Sequence, residues 1–289
     1  MNNGTQDGLL GAGGRKATVI LLIIVLMVTG GKSSAEDYLS AVEVSAIGTG
    51  AVLINLMGAQ ARRIEISDRS VIKGPLPEEM ALHRFLGGKY YPGKTNFLDN
   101  WAGSAVTPVI CGLALAGTDF SWPQKHSVQD ASQDMFLYIS GLLTTKGLTD
   151  FSKGLFRRPR PVSFMVDSAM AEMDRSHRWL RTAFFSGHTS SAFFSASFLN
   201  LRIRSIMRQR MTPSEYRGWR WASSTTLLGW AGFVGWSRIH AYKHFPSDVA
   251  IGAMIGYLIA ELFYHWSMTN DSYKKTAASA TVFKISFSF

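Results

Sequence analysis

Ser237-Arg238-Ile239-His240-Ala241-Tyr242-Lys243-His244-Phe245-Pro246-Ser247-Asp248 joins two stretches without formal charge, 221–237 and 249–260. Each flank is long enough for a helix, and Pro246 suits the first turn of the second one. The join gathers cations, two histidines and a carboxylate where two apolar segments meet. Toward the N-terminus, further uncharged stretches fall at 182–201, 135–145, 102–118 and 44–61. Gly, Ala, Ser and Thr recur in them, as they do where helices pack closely in lipid. Most are shorter than the roughly 20 apolar residues of a full span, so buried helices of a soluble all-α enzyme are the competing explanation.

Composition narrows the classes. Hydrophobic residues are 46% of the 289 and charged residues 17%. That much apolar surface can offset chain entropy, which excludes a disordered chain. A single cysteine, Cys111, excludes a disulfide framework or a multi-cysteine metal site. The net charge of +10 points to anionic partners. Six arginines, at 202, 204, 208, 210, 217 and 220, face one acid, Glu215, between two apolar segments. The positive-inside rule reads this as a cytoplasmic loop. A nucleic-acid partner would need base-reading residues on a recognisable module; none is seen, and no nucleic-acid partner is expected.

The two ends differ from the middle. Arg15 and Lys16 precede an apolar run over 17–31, then Ser33-Ser34-Ala35. This fits an export signal cleaved after Ala35, with an uncleaved anchor as the alternative. The tail closes on Phe283-Lys284-Ile285-Ser286-Phe287-Ser288-Phe289, a period-2 pattern that reads as one edge strand. Two motifs are discounted. Gly88 to Thr95 matches a phosphate-binding loop in spacing, but no buried strand precedes it. His240 and His244 stand at i, i+4 but lack an evident third ligand, so no metal and no cofactor is expected.

Three segments carry the chemistry: Lys153-Gly154-Leu155-Phe156-Arg157-Arg158-Pro159-Arg160-Pro161, Phe185-Ser186-Gly187-His188, and the stretch quoted at the outset. A phosphoryl group in transfer spreads negative charge over its oxygens, so fixed cations and N–H donors are the main catalytic need. Lys153, Arg160 and Arg238 supply cations. Ser186 offers a hydroxyl and Gly187 a backbone N–H. Two histidines remain for the reacting axis, since their pKa lies near neutrality. Asp248, four residues after His244, is placed to reach its other ring nitrogen and hold the tautomer.

Together the segments read K-x6-R-P, S-G-H and S-R-x5-H-x3-D. This order resembles the type 2 phosphatidic acid phosphatase family (PAP2), with Phe185 standing where the family has proline. The resemblance implies an all-α bundle of about six core helices with the site at its mouth. It also implies a metal-free phosphatase working through a phosphohistidine. On it, His244 looks like the nucleophile, Asp248 its orienting partner and His188 the general acid. Lys153, Arg160, Ser186, Gly187 and Arg238 look like the phosphate cradle. Vanadium-dependent haloperoxidases share these motifs and are the alternative activity; a non-catalytic membrane scaffold should have lost some of these residues.

The expected organisation is a signal over 1–35, a helix and extracytoplasmic loop over 36–101, a phosphatase core over 102–266, and a polar tail over 267–289. The site loops, 153–185 and 237–247, must share one face, opposite the arginine-rich segment. That places the site on the periplasmic or outer side of a membrane-associated protein of a bacterial envelope, with a soluble periplasmic or outer-membrane-associated protein as the alternative. Partners expected are a phosphorylated lipid or small phosphoester and membrane lipids, with no obligate protein partner.

Overall fold

The structure, a computed structural model, describes residues 39, 41–63, 75–87, 105–121, 127–165 and 180–273. The export-signal reading, the loop over 88–95 and the alternating tail lie outside the described residues. Among the described residues the fold is all-helical, as expected. The helices are α1 (Ala41–Arg63), α2 (Pro77–Leu86), α3 (Val106–Ser121), α4 (Ser127–Phe156), α5 (Val162–Met165), α6 (Gly187–Arg210), α7 (Pro213–His240) and α8 (Pro246–Tyr273).

Helix α6 is the axis of the bundle and touches α3, α4, α7 and α8. Its sequence explains this place. Between Thr189 and Asn200 nearly every residue is buried, and most are Ser, Ala or Phe. Small side chains on several faces let four neighbours approach, and the phenylalanines fill what remains. Phe194 and Phe198 join Leu115, Leu137, Tyr138, Ile259 and Tyr264 in the main core. The Phe198 ring stands edge-on to Tyr138 at 5.6 Å and to Tyr264 at 5.7 Å, arrangements favoured by the ring quadrupoles.

Helix α1 lies along α4 at backbone contact. A Cβ on Gly58 would stand 2.1 Å from the Gly147 carbonyl oxygen, so only glycine permits this crossing. The contact carries Arg62, near the end of α1, to Asp150 on α4, where its Nη1 bonds Oδ1 at 2.9 Å.

Several helices outrun their apolar stretches. The segment 202–220, expected as a loop, is helical except at Met211 and Thr212. Arginine is a good helix former, so helices need not end where charge begins. The turn is set instead by Thr212, whose side chain accepts the Glu215 N–H while Glu215 reaches back to the Thr212 N–H, a capping box. In contrast, the uncharged stretch from 182 starts no helix until Gly187, because Ser186 caps α6 there. The segment expected as an extracytoplasmic loop contains α2. Among the described residues two segments, Val42–Arg63 and Pro246–Trp266, are long and apolar enough to cross a membrane.

Candidate active site

Four helix ends meet at one end of the bundle: the C-termini of α4 and α7 and the N-termini of α6 and α8. The chain leaves α4 through Arg157 (φ 46°) and α7 through Tyr242 (φ 55°). Both are left-handed, a conformation that side chains rarely adopt and that commonly ends helices. Each turn throws the next residues back across the end of the bundle.

Backbone hydrogen bonds then sew the three motif segments together. The Ser186 N–H donates to the Asp248 carbonyl at 3.0 Å, and the Ala183 N–H to the Arg158 carbonyl at 3.0 Å. The N–H groups of Lys243 and His244 both reach the Arg238 carbonyl, at 3.1 and 3.3 Å. Ser186 is fully buried and its hydroxyl accepts from the Thr189 N–H and hydroxyl. That hydroxyl is therefore a helix cap as well as a candidate phosphate contact. At Gly187 a Cβ would stand 2.9 Å from the Thr149 methyl and 3.3 Å from Lys153 Nζ. The glycine thus lets the Lys153 ammonium lie against the start of α6, whose first N–H groups favour an anion.

The cations are inside the protein. Arg160 is 6% exposed and Arg238 1%. Arg160 donates to the Lys243 and Thr182 carbonyls and to the Thr182 hydroxyl; Arg238 Nε donates to the Ser237 hydroxyl at 3.1 Å. Their fields reach both histidines. Burial first, then Arg238, Lys153, Lys243 and Arg160, hold His188 well below the usual histidine value. Burial first, then Arg160, Lys153 and His188, do the same for His244. Lys153 is itself pushed down to about 7 by burial and by Arg160 and Arg62. Five of the sequence-predicted residues, Lys153, Arg160, His188, Arg238 and His244, therefore share one electrostatic neighbourhood.

The orienting partner of His244 differs from the expectation. Its Nδ1 stands 2.7 Å from the Ala183 carbonyl oxygen, but 3.9 Å from Asp248 Oδ2, beyond hydrogen-bond reach. A carbonyl only accepts, so the Nδ1 carries the proton and Nε2 the lone pair. Asp248 instead accepts the Phe245 N–H at 2.8 Å and the Arg158 Nη1 at 2.6 Å. It is the acidic first-turn residue of α8, reaching back to cap the helix, and contributes its charge rather than a bond to His244.

Sequence reasoning passed over Ala183 and the partners of Arg158. A backbone carbonyl has no residue-type signature. Arg158 was visible as a charge in the first motif, but its partner Glu79 is 79 positions away, at 2.5 Å from Nη2. Among the described residues no three His, Cys, Asp or Glu side chains gather as metal ligands; His240 packs against Trp236 at 4.9 Å.

A family model described as the PAP2 superfamily matches residues 134–272. Curated relatives carry matching names. "Phospholipid phosphatase 2" of Homo sapiens is 26% identical over 147 residues, covering 43% of this chain and 48% of that protein. "Probable diacylglycerol pyrophosphate phosphatase 1" of Schizosaccharomyces pombe is 29% identical over 107 residues, 36% of this chain and 38% of that protein. "Lipid phosphate phosphatase 2" of Arabidopsis thaliana is 26% identical over 207 residues, 63% of this chain and 68% of that protein. The chain thus spans about half the length or less of the first two. No solved structure matches it.

Proposed function

From the match of residues 134–272 to the PAP2 superfamily model, we propose that the protein is a metal-independent lipid phosphatase acting on a phosphomonoester or diphosphate through a phosphohistidine at His244. The observation that carries this reading is the commitment of His244 Nδ1 to the Ala183 carbonyl at 2.7 Å. It leaves Nε2 unprotonated and turned to the reaction, with Arg160, Lys153 and His188 acting on the same ring.

In this mechanism Nε2 attacks phosphorus as the bond to the leaving oxygen breaks. His188 gives that oxygen its proton. Before substrate binds, both histidines are held neutral by burial and by cations. A bound phosphate dianion reverses the balance, because an anion nearby favours the charged imidazole. Substrate binding thereby loads His188 with its proton. A water then attacks the phosphohistidine, losing its proton to His188, and inorganic phosphate leaves. Lys153, Arg160, Arg238 and the N–H groups at Gly187 and His188 hold the equatorial oxygens throughout.

The lipid part of the reading rests on the names of the relatives and on the two helices able to cross a membrane. The same reading puts the site end on the extracytoplasmic side and the arginine-rich end in the cytoplasm, with the phosphatase core beginning near residue 102. The test is phosphate release by protein purified in detergent, with EDTA present, from lipid and soluble phosphoesters. Release from a lipid phosphate that survives EDTA is expected, together with acid-labile labelled phosphate on His244. Strict dependence on added magnesium or zinc overturns the metal-free mechanism. Labelled phosphate trapped on His244→Ala overturns the nucleophile assignment.

A further inference from the structure

Helix α2 lies outside the matched segment and yet reaches the loop that carries His244. Its His83 is fully buried, with the ring edge-on to Tyr242 at 5.0 Å and to Phe245 at 5.5 Å. One turn earlier, Glu79 turns toward the same loop. Glu79 Oε2 accepts Arg158 Nη2 at 2.5 Å. Glu79 Oε1 accepts both the N–H and the hydroxyl of Ser247. Arg158 passes the connection on, since its Nη1 donates at 2.6 Å to Asp248 Oδ1 and at 2.6 Å to the Ser247 hydroxyl. Arg158 is 5% exposed by side chain, Glu79 13% and Asp248 0%, so little water screens these charges.

The charges behind His244 can be counted. Asp248 is negative, Arg158 positive and Glu79 negative. Arg158 and Asp248 alone would sum to zero. With Glu79 the group keeps one net negative charge on the Nδ1 side of the ring. Phosphorylation at Nε2, with Nδ1 still protonated, makes the ring positive, so a net negative charge behind it favours the product of that step.

We propose that Glu79 is a positioning residue for phosphoryl transfer: by offsetting the Arg158 charge and holding Ser247, it leaves the Asp248–Arg158–Glu79 group with a net negative charge behind His244. This rests on the phosphatase reading above. The groups acting on His244 are Lys153, Arg160 and His188 on the substrate side, and Asp248, Arg158 and Glu79 behind. Arg238 and Lys243 act on His188 beside it.

The test compares Glu79→Gln, which keeps shape and removes charge, with Glu79→Asp, in the full chain in detergent, using phosphatidate as the probe. Glu79→Gln is expected to lower kcat about tenfold, the scale of one poorly screened charge several ångströms from the ring, with KM within about twofold. The acid limb of its kcat/KM profile should move to lower pH, because a lost negative charge makes His244 harder to protonate. Glu79→Asp should recover part of kcat and return the limb toward the wild type. The thermal midpoint of Glu79→Gln should fall, because Arg158 loses a buried charged partner, while the folded fraction at the assay temperature should match the wild type, since the contacts of α2 through His83 remain. An unchanged kcat and acid limb in Glu79→Gln overturn the proposal and leave the phosphatase reading standing. So does a loss matched by an equal loss of folded protein. A wild type that releases phosphate from no ester overturns both.

Discussion

At the end of the bundle where α6 begins and α7 finishes, Arg158, Arg160 and Arg238 are almost fully buried. At the other end, where α6 finishes and α7 begins, Arg208, Arg210 and Arg217 stand in solvent. The residue type is the same and the physics is opposite. A buried guanidinium loses its water and must be met by fixed acceptors. Arg158 meets two carboxylates, Arg160 two carbonyls and a hydroxyl. These partners fix the direction in which each guanidinium points. At the far end Arg208 bonds the Tyr216 hydroxyl at 2.8 Å in an exposed setting, where water competes for every donor. One end is built for geometry and the other for charge alone.

The sharpest way to break this contrast is at the reacting axis. His244→Ala should reduce turnover by more than about 10³-fold, as loss of a nucleophile generally does, and abolish the phosphoprotein. Arg238→Lys is next. It keeps the charge but loses the planar fork inside a fully buried site, and kcat should fall by about 10²-fold. A drop under threefold would show that charge suffices there too. His188→Ala should penalise substrates by leaving group. An alkyl phosphate should lose about 10²-fold more than p-nitrophenyl phosphate, whose leaving oxygen needs little protonation. Equal losses would remove His188 from the acid role.

The histidines also set a pH limit on stability. His83 is lowered to about 4 by burial, with Glu79 opposing. Its folded pKa lies below the unfolded value near 6.5, so its contribution is complete above that value and is lost as pH falls toward 4. The thermal midpoint should therefore fall between pH 6.5 and 4, and His83→Phe should flatten that decline. A midpoint with the same slope in the variant would assign the decline to other groups. Smallest of all, Arg208→Ala and Arg217→Ala should change activity in detergent by less than about twofold, in keeping with substitutions at solvent-exposed positions. A loss comparable to that of Arg238→Lys would erase the distinction between the two ends.

The helices of the core were legible because their signal is local: charge-free stretches rich in small and aromatic residues need no distant partner to be recognised. Their lengths were not legible in the same way. Charged residues such as Arg202 and Arg208 continue α6, and Arg202 finds Asp134 at 2.9 Å across the bundle. The contents of the proposed site were legible from three spacings, since each motif puts its own residues within a helix turn or a short loop. The contribution of α2 was not. Its Glu79 and His83 resemble any residues of a polar loop until the fold brings Arg158 and Phe245 against them.

By itself the sequence determined which side chains the proposed site has to work with, Lys153, Arg160, Ser186, Gly187, His188, Arg238, His244 and Asp248, because chemistry resides in residue types. The tertiary structure alone decided how His244 is held. The ring is oriented by the Ala183 carbonyl, a group every residue but its neighbours' geometry makes equivalent, while Asp248 is drawn to Arg158 and the Phe245 N–H. Hydrogen bonds of under 3 Å are won by whichever acceptor the packing brings closest, and that choice is made by the left-handed turns at Arg157 and Tyr242 and by the helix ends they join.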